Sequence, residues 1–363
     1  MKRVIVLLMV TVLVLTAFGV GCSRSGTKDT TSTAPSAGGS QPAGGPQTAK
    51  RVKVAMITDV GGLGDKGFND AAYAGLQRAE KELGVQINVV ESKEVGDYPT
   101  NLRTLAQSGY DLIFAVGAMM TDAVKAIAPE YPNTKFAIID GTVDNLPNVA
   151  SALYREQEAA FLLGAFAAQM TKTNTVGFVS GMRIPVMERF EAGFRAGVQT
   201  INPKVKALVA YTGSFNDVGK GKETANTLFQ GGADIVSTAA GACNLGVFQA
   251  AKEKGDRYWV LGAGTGQFNL APDKILASQV KRIDNTGFDI IRDFTQGKFK
   301  SGISVYGLKE GGVDLAVSPT LKDKIPAAVL TKVNSLRQAV ISGQIVPPAT
   351  VKDLANFQPP KLQ

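Results

Sequence analysis

Short apolar segments alternate with longer amphipathic ones along most of the chain. The run 112–116, Leu-Ile-Phe-Ala-Val, is hydrophobic on both faces, as are parallel strands covered by helices on either side. The amphipathic segments between such runs predict helices, and the first of these ends at Gly84, a favourable left-handed cap. This βαβ rhythm predicts an α/β fold with a doubly wound sheet. The predicted strands are 52–58, 85–90, 111–117, 135–140 and 149–154, and the predicted helices are 66–83, 100–107 and 121–130.

The rhythm restarts with a predicted strand at 175–180 and a predicted helix at 185–200. In each half, a phenylalanine precedes a glycine by seven residues, Phe68 before Gly75 and Phe190 before Gly197. Ligands of such folds bind at the C-terminal ends of the strands, so a cleft between two halves is the expected site. We expect two doubly wound, Rossmann-like lobes joined by hinge crossovers, comprising residues 51–153 plus about 283–303, and residues 154–282 plus about 304–363.

The N-terminus has the pattern of an export signal. Lys2 and Arg3 form a short positive region, and residues 4–18 are an apolar stretch too short to span a bilayer comfortably. Small residues at 19–21 precede Cys22, which resembles a bacterial lipobox, where the cysteine is lipidated and becomes the new N-terminus. Residues 1–22 are thus predicted to be a lipoprotein signal peptide. An ordinary secretory signal with an incidental cysteine is the alternative.

The segment that follows is expected to be a disordered tether. Residues 23–50 consist mostly of Ser, Thr, Gly, Pro and Ala and contain no large aliphatic or aromatic residue. Such a composition cannot bury a core. The predicted arrangement is a folded body held by a lipid anchor on the extracytoplasmic face of the cell membrane.

Composition excludes several classes of chemistry. The 363 residues are 44% hydrophobic and 19% charged, which permits a large core. The chain contains no histidine, so Ser-His-Asp and Cys-His nucleophiles and histidine metal ligands are excluded. The two cysteines, Cys22 and Cys243, cannot build a zinc cluster, and Cys243 is expected to be a small buried residue. No catalytic residue, metal or cofactor is expected, although an exported enzyme of unknown reaction remains an alternative.

The charge pattern does not favour nucleic acid as a partner. The net charge is +8, but lysine and arginine are spread along the chain without a block of five like charges. A mildly basic surface suits a protein held near anionic lipid.

Several polar and aromatic residues lie at or just after predicted strand ends in the first half. Asp59 ends the first strand, and a glycine-rich loop leads from it to Phe68 and Asn69. The loop lacks the Gly-Lys-Ser/Thr of a phosphate-binding P-loop. Asp122 lies in the first turn of the helix after strand 111–117. Each of these residues also has an interpretation without a ligand. The loop can be a capped turn with Phe68 packed in the core, and Asp122 can be an acid favoured by the helix dipole.

The second half also has candidate ligand-binding residues at or near predicted strand ends. Phe215, Gly241 and Gly264 follow or end predicted strands, and Lys281 ends an alternating segment at 275–280. Without a ligand role, Phe215 would be a core residue and Lys281 a solvent-exposed lysine. The candidate ligand-binding residues are Asp59, Phe68, Asn69, Asp122, Phe215, Gly241, Gly264 and Lys281.

Several segments of the sequence match the motifs of one known family. They include Asp-Val-Gly-Gly-Leu-Gly-Asp-Lys-Gly-Phe-Asn at 59–69, Tyr-Pro-Asn-Thr-Lys-Phe-Ala-Ile-Ile-Asp-Gly at 131–141, Gly-Ser-Phe-Asn-Asp at 213–217 and Val-Lys-Arg-Ile-Asp at 280–284. In their order and spacing these segments resemble the basic membrane protein family of bacterial lipoproteins. Members of this family are nucleoside-binding components of ABC transporters with the type I periplasmic-binding-protein fold. The resemblance covers residues 52 to about 309.

The resemblance implies roles for the candidate residues. Phe68 and Phe215 would sandwich a purine base, and Asp59 and Asn69 would face it. Asp122 and Lys281 would line the sugar end of the pocket. The implied partners are a small solute, a nucleoside or nucleobase, and an ABC permease, with a monomer as the expected state.

Three positions depart from the family pattern. Within Gly-Ala-Gly-Thr-Gly-Gln at 262–267, Gly264 replaces the aspartate that binds the ribose in the family, and Gly266 replaces a second aspartate. Gly67 stands where serine is common. A ribose contact is therefore missing. This predicts a changed ligand, such as a free base, a modified nucleoside or another small solute, and a role in sensing is the alternative to transport.

Overall fold

The computed structural model of the chain describes residues 51–359. The predicted signal peptide, the lipidated Cys22 and the tether through residue 50 lie outside the described residues. Within the described part, no helix is both long and apolar enough to cross a membrane.

The described residues form twelve strands and ten α-helices. The strands are β1 (Lys53–Thr58), β2 (Gln86–Glu91), β3 (Leu112–Val116), β4 (Lys135–Ile139), β5 (Val149–Tyr154), β6 (Thr175–Ser180), β7 (Lys206–Tyr211), β8 (Ile235–Ala239), β9 (Trp259–Ala263), β10 (Ile275–Lys281), β11 (Gly302–Tyr306) and β12 (Val313–Val317). The α-helices are α1 (Phe68–Leu83), α2 (Asp97–Gln107), α3 (Thr121–Ile127), α4 (Glu156–Met170), α5 (Pro185–Ile201), α6 (Val218–Gln230), α7 (Cys243–Lys254), α8 (Ile283–Thr295), α9 (Ala327–Ile341) and α10 (Val351–Leu354).

The strands assemble into two six-stranded sheets, as the repeated rhythm predicts. The first sheet has the order β11-β5-β4-β3-β1-β2, and its neighbouring strands are all parallel. The second has the order β12-β10-β9-β8-β6-β7, in which only β12 runs antiparallel to its neighbour. The central strands are buried because helices cover both faces. The predicted α/β fold with two doubly wound sheets is confirmed.

The chain crosses between the two sheets three times. It leaves the first sheet after β5, returns to it with β11, and enters the second sheet again with β12. Glu156 starts α4 directly after the first crossing, and Lys281 ends β10 just before the second. Side chains near these crossings therefore lie where the two sheets face each other.

Two predicted helix starts and one predicted helix end differ from the structure, each because of a local interaction or residue. The first helix begins at Phe68 rather than at residue 66, because the Asp65 carboxylate accepts hydrogen bonds from Gly67 N and Asn69 N and holds the preceding turn. The second begins at Asp97, whose carboxylate accepts from two preceding backbone amides. The predicted helix 121–130 changes to a 3₁₀ turn near Pro129, which has no N–H to donate.

Helices α4 and α5 pack closely against each other and, through Phe194, against β6. The rings of Phe178 on β6 and Phe194 on α5 lie 5.2 Å apart, and both side chains are fully buried. A Cβ atom at Gly164 would lie 2.0 Å from the carbonyl oxygen of Phe194, so only glycine lets the two helices approach this closely. Phe190, on the same helix as Phe194, reaches a cavity between the two sheets instead.

Candidate functional site

A cavity of about 550 Å³ lies between the two sheets, at the carboxyl ends of their strands. From the first sheet it is lined by Asp59 after β1, Gly117 after β3 and Asp140 after β4. From the second it is lined by Gly264 after β9 and Lys281 at the end of β10. Its size is typical of small-molecule sites, and its position is the one favoured by doubly wound folds.

The structure brings seven of the eight candidate residues to this cavity: Asp59, Phe68, Asn69, Phe215, Gly241, Gly264 and Lys281. Asp122 is not among the lining residues and is exposed on α3. The turn after β3 brings Ala118 and Met119 to the cavity, and α3 starts beyond them. The expectation of a ligand contact from Asp122 is therefore corrected.

Asp59 and Asn69 form a buried hydrogen-bonded pair. One oxygen of the Asp59 carboxylate, Oδ1, accepts from Asn69 Nδ2 at 2.9 Å and from the amide of Gly61 at 2.9 Å. Burial raises the pKa of Asp59 to about 6, although these two hydrogen bonds oppose the shift. Asn69 Oδ1 is buried and has no hydrogen-bond partner among the described residues. The pair therefore offers acceptor oxygens suited to N–H donors of a solute.

The raised pKa of Asp59 predicts pH-dependent binding. An ionised carboxylate is the stronger acceptor, so we expect affinity for a solute with N–H donors to fall as the pH drops below about 6. Isothermal titration calorimetry between pH 5 and pH 8 measures this effect. The pKa of Asp140 is also raised to about 6, so Asp59→Asn is the control that isolates the contribution of Asp59. Identical pH profiles for both proteins would contradict the assignment.

The raised pKa of Asp59 also makes the stability of the ligand-free protein depend on pH. The folded-state pKa of Asp59 lies above its usual 3.8, so folding favours the protonated form. Its favourable contribution is complete below about pH 3.8 and is lost as the pH rises through about 6. As the pH falls through about 6, the protonation of Asp59 should therefore weaken solute binding and stabilise the ligand-free fold.

Phe68 and Phe215 come to the cavity from different sheets. Phe68 is the first residue of α1 and is partly buried. Phe215 lies between β7 and α6, and a Cβ at Gly181 would lie 2.1 Å from its ring. Gly241 has a left-handed backbone, with φ of 57°, and a Cβ there would lie 2.7 Å from the carbonyl oxygen of Phe215. Gly241 therefore allows a close backbone approach that supports Phe215.

A buried charge cluster links the two sheets beside the cavity. Lys281 Nζ lies 2.7 Å from Asp140 Oδ2 and 2.8 Å from Glu156 Oε1. Arg189 Nε donates to Glu156 Oε2 at 2.6 Å. The Lys281 ammonium also lies 5.3 Å from the ring centroid of Phe68. Lys281 thus reaches the predicted cavity, but two carboxylates hold it there.

Burial and neighbouring charges shift the pKa values of Asp140 and Glu156 in opposite directions. Burial raises the pKa of Asp140 to about 6, with the charge of Lys281 as the main opposing effect. Burial also acts to raise the pKa of Glu156, but Lys281 and Arg189 together outweigh it, so this pKa lies below its usual value. Sequence reasoning selected Lys281 alone. Asp140 ends a predicted strand, which was the available signal, whereas nothing local distinguished Glu156 or Arg189.

The loops after β1 and β9 meet backbone to backbone. Gly264 has a φ of 120°, and a Cβ there would lie 2.9 Å from Gly67 Cα and 3.1 Å from the carbonyl oxygen of Lys66. Gln267 Nε2 donates to the carbonyl oxygen of Asp65 at 3.2 Å. Gly67 and Gly264, two of the positions that depart from the family pattern, are therefore in contact with each other.

This contact predicts that restoring the family acid weakens binding. We expect Gly264→Asp to lower solute affinity by about 10–100-fold, because its side chain meets the facing loop and the strain of such contacts is roughly 1–3 kcal/mol. Titration calorimetry measures the loss. Gly255→Asp is the control, since Gly255 has a φ of 93° but no heavy atom near a Cβ. Equal or tighter binding by Gly264→Asp would contradict the prediction.

Among the described residues there is no group of three His, Cys, Asp or Glu side chains that could hold a metal ion. Cys243 is fully buried, and its Sγ donates to the carbonyl oxygen of Ser214 at 3.4 Å. Burial raises the pKa of this thiol. Cys243 is therefore the small buried residue that the sequence predicts.

Residues 52–350 match the family model of Bmp, described as ABC transporter substrate-binding protein PnrA-like. The chain is 35% identical to the ABC transporter nucleoside-binding protein BmpA of Lactococcus lactis, over 82% of this chain and 89% of that protein. It is 41% identical to an uncharacterized lipoprotein of Pyrococcus abyssi, over 74% of this chain and 71% of that protein.

The architecture has a counterpart in the crystal structure of an ABC transporter system solute-binding protein from Aeropyrum pernix K1. The TM-score is 0.77 at 32% identity, over 84% of this chain and 96% of that chain. The resemblance inferred from the sequence motifs is confirmed, and the chain belongs to the Bmp family of PnrA-like ABC transporter substrate-binding proteins.

Proposed function

We propose that this protein captures a purine nucleoside or a related purine-like solute in the cavity between its sheets. The observation that carries the proposal is the joint placement of Phe68, Phe215, Asp59 and Asn69 at one cavity. Two aromatic rings bind a planar base by stacking, which contributes about 0.5–1.5 kcal/mol beyond burial. The Lactococcus relative is named a nucleoside-binding protein, which supports the same ligand class.

The acceptors beside the rings give this cavity a preference for bases with N–H groups. The ionised Asp59 carboxylate acts only as an acceptor, and the amide oxygen of Asn69 has an open acceptor position. Hydrogen bonds to a charged group contribute about 1.5–3 kcal/mol each. The pair therefore favours a purine that presents donors.

A free base is a second candidate ligand, favoured by one observation. The place of the family's ribose-binding acid is taken by Gly264, and the facing backbone of Gly67 and Lys66 leaves no room for a side chain there. A nucleoside would be bound without that contact.

The proposed role in the cell is delivery of the solute to an ABC permease. The two sheets would be the cores of lobes made of residues 51–153 plus about 283–303, and 154–282 plus about 304–363, which close on the solute by hinge bending. The chain would act as a monomer, anchored through lipidated Cys22 on the extracytoplasmic face of the cell membrane. The lipoprotein name of the Pyrococcus relative supports the anchor.

Uptake of a radiolabelled purine nucleoside and a purine base by cells with and without the gene tests delivery. We expect deletion to abolish high-affinity uptake, and the wild-type gene to restore it. A Phe68→Ala gene is the matched control, since it leaves the anchor and the permease unchanged. Normal uptake after deletion would contradict a transport role and would favour sensing.

A further inference from the structure

A residue at the cavity wall carries a buried amide oxygen that has no partner among the described residues. Gln279 lies in β10, is 3% exposed and lines the cavity, although it was not among the residues selected from the sequence. Its Oε1 atom has no hydrogen-bond partner among the described residues. Buried polar atoms are nearly always paired, so an unpaired acceptor at a cavity wall indicates a donor on the ligand.

The surroundings of Gln279 fix which end of its amide is the oxygen. Its Nε2 donates to the carbonyl oxygen of Thr238 at 3.4 Å, and a carbonyl oxygen can only accept. The other end of the amide is therefore Oε1. A hydroxyl can rotate to act as donor or acceptor, but this oxygen can only accept.

Gln279 also stands directly beside Gly264. The backbone oxygen of Gln279 accepts from the amide of Gly264 at 2.8 Å, and the residue pairs with Ala263 across β9 and β10. Lys281 lies two positions further along β10, on the same face of the strand. Its ammonium is held by Asp140 and Glu156, so Gln279 supplies the open acceptor on this strand.

We infer that Gln279 determines specificity by accepting a hydrogen bond from a sugar hydroxyl of the bound solute. The inference rests on the proposed function, in which the N–H donors of the base pair with Asp59 and Asn69 and leave a sugar hydroxyl for Gln279. A neutral amide then takes a place near Gly264, where the chain has no acid. The solute class is a nucleoside that keeps this hydroxyl free.

Gln279→Met tests the inference, because methionine has a similar length and lacks the acceptor. Titration calorimetry on the purified protein uses adenosine, inosine, the 2′-, 3′- and 5′-deoxy forms of both, and the free bases. We expect the variant to bind the intact nucleosides about tenfold more weakly than wild type. For the deoxy form that lacks the paired hydroxyl, and for the free base, the two proteins should bind equally.

Two patterns would overturn the inference. One is equal affinity of wild type and variant for every compound. The other is a loss that persists in all deoxy forms and in the free bases, which would indicate a structural role. Ligand-free thermal unfolding checks the fold, and Gln279→Val, which suits a strand, takes the place of the methionine variant if that protein does not fold.

The outcome separates this inference from the proposed function. A wild-type protein that binds none of the nucleosides or bases overturns both. A wild-type protein that binds nucleosides with the same affinity as Gln279→Met overturns the role of Gln279 and leaves the proposed function in place.

Discussion

Lys281→Met is expected to lower the free energy of unfolding by about 3–5 kcal/mol at neutral pH. The variant leaves Asp140 and Glu156 buried without the ammonium that lies within 2.8 Å of both. Arg189 still pairs with Glu156, so most of the cost falls on Asp140. Denaturant unfolding followed by circular dichroism measures the change. Removing Lys281 also removes the main influence that lowers the pKa of Asp140, so Asp140 takes up a proton at higher pH in the variant than in wild type. The loss should therefore shrink as the pH falls toward about 6 and be smallest below it, where Asp140 is protonated in both proteins.

Lys222→Met is the matched control for this variant. Lys222 Nζ also lies 2.8 Å from a carboxylate oxygen, that of Glu253, but the two side chains are 32% and 52% exposed. Exposed pairs contribute about 0–1 kcal/mol, so the control should barely change stability. Asp140→Asn in the Lys281→Met background should recover part of the loss. Equal stability of the two lysine variants would contradict a structural role for the buried cluster.

Phe68→Ala and Phe215→Ala are each expected to weaken solute binding by about 2–4 kcal/mol. Each variant removes one stacking face and the apolar area that the solute would cover. Titration calorimetry with the tightest purine ligand measures the loss. The change should appear as faster dissociation, because truncations within one interface act mainly on the off-rate.

Phe299→Ala is the control for the two aromatic variants. Phe299 is partly buried and packs against Phe294, with ring centroids 6.2 Å apart, but it does not line the cavity. Its removal should lower stability without changing affinity. Phe215 is itself buried, so ligand-free unfolding must be measured beside its affinity. Unchanged affinity in both cavity variants would refute the stacking arrangement.

The fold was predictable because its signal is local. Strands such as β3 are buried on both faces, so their sequences are continuous apolar runs. Helix starts were less predictable, because side chains such as Asp65 and Asp97 capture backbone amides that a hydrophobic pattern does not record. Pro129 did carry a signal for the end of α3, and its missing N–H explains the shorter helix.

The cavity was predictable only in part. Strand-end positions identified Asp59 and Lys281, since carboxyl ends of parallel strands face the same cleft. The same reasoning failed for Asp122, because Ala118 and Met119 in the turn after β3 line the cavity and Asp122 is exposed on α3 beyond them. Glu156 and Gln279 were missed because their places at the cavity result from burial between the two sheets and not from sequence spacing.

Tertiary structure explains why glycine occurs at two positions that differ from the family motif, Gly67 and Gly264. The two residues are far apart in the sequence, so the sequence alone shows only that each lacks a side chain. In the structure their backbones touch, so a change at one position limits what the other can accept. The absence of a side chain at Gly264 and the close meeting of the two loops are therefore one structural feature.

Thermal unfolding of the purified protein against a panel of solutes tests the central claim most directly. The panel contains purine and pyrimidine nucleosides, the free bases, pentoses and amino acids. A ligand at 100 times its Kd stabilises a protein by about 2.7 kcal/mol, which gives a measurable rise in Tm. We predict a rise with purine nucleosides or purine bases and none with pentoses or amino acids. A Tm that no purine compound raises would contradict the account.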